Sequence, residues 1–180
     1  MKKILLIIFL TTLFLLCFGC HSNENIILYN ATMVAWGQVD PLLQGNNGWF
    51  NESFLKTNKV SDALYLNENY DPNDSISEKY VFYSEAPKEI IIVIDSIEKE
   101  EQIFNTKHEV DYDKEILILR LFGDTNCSYS LNDVVLEDGV LRIIYNVKVN
   151  VTTDPVLTCM VVKMDKIEYE TIEFKGKNIR

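Results

Sequence analysis

Apolar and polar side chains alternate most regularly between residues 131 and 151. Leu141, Ile143, Tyr145, Val147, Val149 and Val151 share one parity, and Arg142, Ile144, Asn146, Lys148 and Asn150 lie between them. Successive strand side chains point to opposite faces, so six apolar residues on one parity predict a half-buried strand. Asp138-Gly139 stands just before it and supplies the positive φ angles of a two-residue type I′ turn. Leu131 to Glu137 is therefore expected to pair back antiparallel. That register sets Leu136 opposite Leu141 and Val134 opposite Ile143 on the core face, with Val135 opposite Arg142 on the other.

Further strands are predicted at Glu89 to Ile94, Ile116 to Phe122, Thr158 to Met164 and the tail Lys166 to Phe174, making an antiparallel or mixed sheet. In Asp95-Ser96-Ile97-Glu98 an N-cap acid is followed three residues later by a Glu. This capping-box start predicts a short helix near 96–105. Residues 26–88 are less regular: Ile26 to Trp36 reads as a strand, Gly45-Asn46-Asn47-Gly48 as a turn, and Asn67 to Ser77 as a polar acidic loop. With no internal repeat and no Pro/Gly/Ser linker, residues 26–180 read as a single β-rich α+β domain, 26–88 its irregular part and 89–180 its sheet core.

Residues 1–19 have a different character. Lys2 and Lys3 precede an apolar stretch from Ile4, and Gly19-Cys20 ends it, the pattern of an export signal. Ile4 to Phe18 is 15 residues; at a rise of about 1.5 Å each this falls short of a hydrocarbon core roughly 30 Å thick. The run Cys17-Phe18-Gly19-Cys20 resembles the lipobox of bacterial lipoproteins, in which the cysteine is acylated and becomes the mature N-terminus. The resemblance implies lipidation at Cys20 and an extracytoplasmic domain held at the cell envelope, at the outer membrane if the host has one; residues 20–25, polar and aperiodic from His21 to Asn25, read as the tether.

The chain carries 17 basic and 27 acidic residues, a formal charge of −10, and loss of Lys2 and Lys3 leaves the body more acidic still. Such a body repels phosphate backbones, which disfavours nucleic acid as a partner. With Cys17 in the leader and Cys20 under lipid, Cys127 and Cys159 form an even pair in an exported domain. They read as a disulfide, the alternative being two reduced cysteines packed as small apolar residues.

Catalytic and metal motifs are sparse. His108 has Asp111 and Asp113 nearby but no accompanying nucleophile motif, and reads as a surface histidine in a loop between helix and strand. Glu98, Glu100 and Glu101 read as the solvated face of a short helix. Asp71-Pro72-Asn73-Asp74-Ser75 begins like a calcium loop, yet Ile76 and Phe82 occupy the positions where an EF-hand needs Gly and Glu, leaving a solvated loop or a looser cation site. Neither a catalytic set nor a cofactor or metal site is assigned. Trp49-Phe50 follows the Gly-Asn-Asn-Gly turn and is the candidate partner contact, against the alternative that it packs onto the sheet.

From Glu89 onward the order of features resembles the C-terminal domain of PrcB-type lipoproteins, accessory subunits of a bacterial surface protease complex. The features are the apolar run into Asp95-Ser96, the helix to Phe104, Val110-Asp111-Tyr112-Asp113-Lys114-Glu115 before an apolar strand, Ser128-Tyr129-Ser130, and Leu157-Thr158 before Met160-Val161-Val162-Lys163-Met164. The resemblance implies a non-catalytic β-rich domain that binds or stabilises another envelope protein. The expectation is a non-enzymatic envelope lipoprotein acting through protein contacts, with an extracytoplasmic binder of a cation or small ligand as the alternative.

Overall fold

The computed structural model describes residues 27–39, 47–125, 127–149 and 155–179. Ten strands and two short helices follow in order: β1 (Ile27–Leu28), β2 (Ala31–Gln38), α1 (Glu52–Thr57), β3 (Tyr65–Leu66), β4 (Tyr80–Val81), β5 (Glu89–Ile94), α2 (Ile97–Ile103), β6 (Glu115–Asp124), β7 (Cys127–Glu137), β8 (Val140–Val149), β9 (Val156–Asp165) and β10 (Thr171–Asn178). The α+β, β-rich class expected from the sequence is the class observed.

The central hairpin has the predicted register, with Leu136 opposite Leu141, Val134 opposite Ile143 and Val135 opposite Arg142. Asp138 and Gly139 turn it with φ of 50° and 77°, the left-handed values a type I′ turn requires. The strands lie in two four-stranded sheets, ordered β1-β7-β8-β10 and β2-β9-β6-β5, beside a small β3-β4 ribbon. Strand neighbours within them are antiparallel except β8 and β10, which run parallel.

One segment serves both sheets. Leu28 pairs with Val135, the Tyr29 N–H donates to the Val134 carbonyl at 2.9 Å, and the chain then crosses so that Ala31 pairs with Met164. Pairing is interrupted at Val34 on β2 and at Asn132 on β7. Such bulges bend a strand and raise its twist, which suits a chain changing sheets.

Between the sheets, Ile116, Ile118, Val162 and Met164 meet Val134, Leu141 and Ile143, and Phe122, Tyr129, Tyr145 and Met160 extend this interior. The opposite face of the second sheet is covered too: Leu117, Leu119, Leu121, Leu157, Cys159 and Val161 pack on Phe50, Leu55, Val60, Ala63, Tyr65, Ile103 and Phe104. The part of the chain from Trp49 to Tyr83 thus forms a third layer together with α2, while β1 and β2, from the part expected to be irregular, join the two sheets. Burial on both faces is why β6 and β9 read as continuous apolar runs and not as alternation.

Several boundaries move, and the strand expected over Ile26 to Trp36 is divided into β1 and β2, which lie in different sheets. Asp95 was expected as the helix cap, but Ser96 caps α2, its Oγ accepting from the Lys99 N–H at 3.3 Å, while Asp95 pairs with the Lys99 ammonium at 2.8 Å. The tail strand, expected over Lys166 to Phe174, begins at Thr171, because Ile167 and Tyr169 pack on the core while the chain passes from β9 to β10.

Candidate functional site

Cys20 lies outside the described residues. Cys127 and Cys159 are both free thiols, so the expected disulfide is not formed. The reason is topological. Cys159 faces the third layer from the second sheet, whereas Cys127 packs at the end of the interior between the sheets, on the other side of β9. Burial pushes the Cys159 thiol up to about 12, and burial with the nearby Asp124 carboxylate raises Cys127.

The aromatic pair is not an exposed tip. Phe50 is 1% exposed, its ring 5.0 Å from Phe104 and 6.1 Å from Phe54, and Trp49 is half-buried against the same cluster. Backbone contacts fix the site: the Asn51 N–H donates to the Ile103 carbonyl and the Asn105 N–H to the Trp49 carbonyl, both at 2.8 Å. Trp49-Phe50 is a seam within the third layer, against α2, and Phe50 has no surface to offer a partner. In the acidic loop, Asp71 and Asp74 accept from the backbone N–H groups of Asn73 and Ile76, closing turns. Among the described residues no three His, Cys, Asp or Glu side chains are placed to hold a metal.

His108 and Glu100 also depart from expectation. Glu100 is 3% exposed, and its Oε1 meets both the backbone N–H and Nδ1 of His108. The imidazole also packs edge-on to Phe104, with ring centres 4.7 Å apart. The Tyr112 hydroxyl is buried with no hydrogen-bond partner among the described residues; burial first, and the Glu100 charge second, push its phenol upward. These residues form a buried polar cluster where a solvated helix face and a surface histidine were expected. Glu98 and Glu101 do remain exposed.

β5 offers the geometry most suited to binding a partner. Its sequence after Glu89 is Ile90-Ile91-Ile92-Val93-Ile94, residues whose branched side chains fit a pleated surface. Ile90 and Ile92 pack on the third layer, and Ile91 and Val93 on the interior between the sheets. One edge of β5 pairs with β6 from Glu89 opposite Phe122 to Ile94 opposite Leu117. The other edge has no strand beside it among the described residues. Every second residue of such a strand turns its N–H and C=O outward, a template for another chain.

Proteins usually blunt such edges with charges, proline or bulges. β10 carries Glu173, Lys175 and Lys177, and β2 is interrupted at Val34, whereas β1 is two residues long and pairs only with Val135 and Leu136 of β7. β5 is regular throughout and carries one charge, Glu89, with Pro87 and Lys88 just before it. Glu89 is held by Arg120, whose Nε lies 2.6 Å away and whose guanidinium also donates to the Tyr145 hydroxyl at 2.7 Å and lies over Phe122. Sequence reasoning found β5 with its observed boundaries but not its edge position, which depends on strand order; the signal available was the run of consecutive apolar residues after Pro87-Lys88.

No family model matches the chain, and no curated protein or solved structure is significantly similar to it.

Proposed function

We propose that the protein is a bacterial envelope lipoprotein, anchored through Cys20 outside the cytoplasm, whose domain acts by protein contact and not by catalysis. The contact is the addition of an extended segment of another envelope protein to the outer edge of β5. In strand addition, main-chain hydrogen bonds supply affinity and alternate side chains supply specificity. The observation that carries this reading is the regular, apolar, unpaired edge of Glu89–Ile94. The resemblance to accessory lipoproteins covers the same part of the chain and supports an accessory role.

Two experiments test it. Intact mass of the membrane-bound protein is expected to show an acylated chain starting at Cys20; another start, or no acyl mass, overturns the anchor. A photo-crosslinker placed in cells at exposed Lys88, beside β5, is expected to trap one recurrent envelope protein that the same probe at exposed Lys148, on β8, does not trap. Equal yields from both positions, or none from Lys88, overturn the β5 contact.

A further inference from the structure

A groove of about 410 Å³ lies between α1 and the β3-β4 ribbon, within the range of small-molecule sites, about 300–1,000 Å³. Phe50, Leu55 and Tyr65 give it an apolar floor, and Leu66, 41% exposed, an apolar wall. Four charged residues line it, and they are not equivalent. Lys56 is paired with Glu52 at 2.8 Å. Lys59 makes no ion pair among the described residues; its ammonium lies 4.6 Å from the centre of the Tyr65 ring and 5.5 Å from that of Tyr83. Burial pulls the Lys59 pKa down, partly opposed by the charge of Glu68. Glu68 is exposed on the groove and makes no ion pair among the described residues, and its charge reaches both lysines.

This pattern narrows what the groove accepts. A simple anion placed on Lys59 meets the repulsion of Glu68 and of a chain with net charge −10; a simple cation placed on Glu68 meets Lys56 and Lys59. A molecule carrying both charges on one carbon beside an apolar body satisfies each partner. The tyrosine rings have already stripped Lys59 of part of its water, so pairing it with a carboxylate costs less desolvation than pairing a fully hydrated lysine. We propose that the groove binds a free α-amino acid with a large apolar side chain, its carboxylate on Lys59, its ammonium toward Glu68, and its side chain along exposed Leu66.

The test is calorimetric titration of the intact protein with phenylalanine, 3-phenylpropanoate and 2-phenylethylamine, which share one apolar body and differ in charge. Phenylalanine is expected to bind saturably and at least about tenfold more tightly than either analogue, the scale of one hydrogen bond to a charged group. Lys59→Met and Glu68→Gln are each expected to weaken it by about tenfold, and Lys59→Arg to retain most binding. Absence of saturable phenylalanine binding, an analogue binding equally well, or indifference to both charge-removing variants overturns the proposal. The three-ligand comparison on the wild-type protein stands however the variants fold.

Discussion

The Glu100 Oε1 oxygen lies 2.7 Å from the backbone nitrogen of His108 and 2.8 Å from its Nδ1, so a buried carboxylate closes the loop that follows α2. His108→Ala leaves the buried carboxylate with the backbone N–H alone, and Glu100→Ala leaves that N–H and the imidazole without their acceptor; a hydrogen bond unmade in this way costs about 1–3 kcal/mol. His108→Ala and Glu100→Ala are each expected to lose about that much by urea denaturation. The double variant is expected to lose clearly less than the sum, because both changes remove the same contact. Additive losses would show that the two side chains do not act as a unit.

Gly123 on β6 tests how closely the third layer is seated. A Cβ built there falls 1.8 Å from the Asp62 carbonyl oxygen, a backbone atom that cannot swing aside. Gly123→Ala is expected to destabilise by about 3 kcal/mol or more, at the upper end of overpacking costs. Gly48→Ala, with nothing within 4 Å of the new methyl group, is expected to stay within about 0.5 kcal/mol of wild type. Thermal melts of the two variants check the contrast.

The thiols give a chemical readout of the two-layer placement. Peptide mapping after alkylation is expected to find Cys127 and Cys159 as free thiols in non-reduced protein, with Cys159 labelled only after unfolding. Cys159 ionises near 9 when unconstrained and is pushed up to about 12 in the fold. A group whose folded pKa is raised contributes stability that is fully present below the unfolded pKa and lost as pH rises. Stability is therefore expected to fall between about pH 9 and 12, and Cys159→Ala to make that decline shallower. Tyr65 and Tyr129, raised first by burial, act in the same direction.

At the central turn, Gly139 has φ of 77° and a built Cβ 2.9 Å from the Glu170 side chain. Gly139→Ala is expected to cost about 1 kcal/mol for the left-handed backbone. Asp138→Asn, which tolerates the same region, is expected to be nearly neutral. A loss from Asp138→Asn equal to that from Gly139→Ala would contradict the turn assignment.

What the sequence revealed follows from how local each determinant is. The β7-β8 register was legible because a two-residue turn and a one-sided strand specify each other within about twenty residues. β10 was misplaced because its partner β8 lies parallel and its pairing comes after a crossing between sheets, which side-chain alternation does not encode. Phe50 read as a possible surface tip because its neighbour Phe104 is remote in sequence. Glu100 read as solvated because helical spacing does not reveal the loop that folds His108 back over it. The disulfide expectation counted cysteines correctly but had no access to the sheet that separates them.

Hydrogen exchange of the β5 amides tests the central claim most directly. In the purified protein, alternate amides of Glu89–Ile94 are expected to exchange far faster than those of β6, and to become protected in native membranes while β10 stays unchanged. Uniformly slow exchange in the purified protein, or β5 protection that does not differ between purified protein and membranes, would contradict the account.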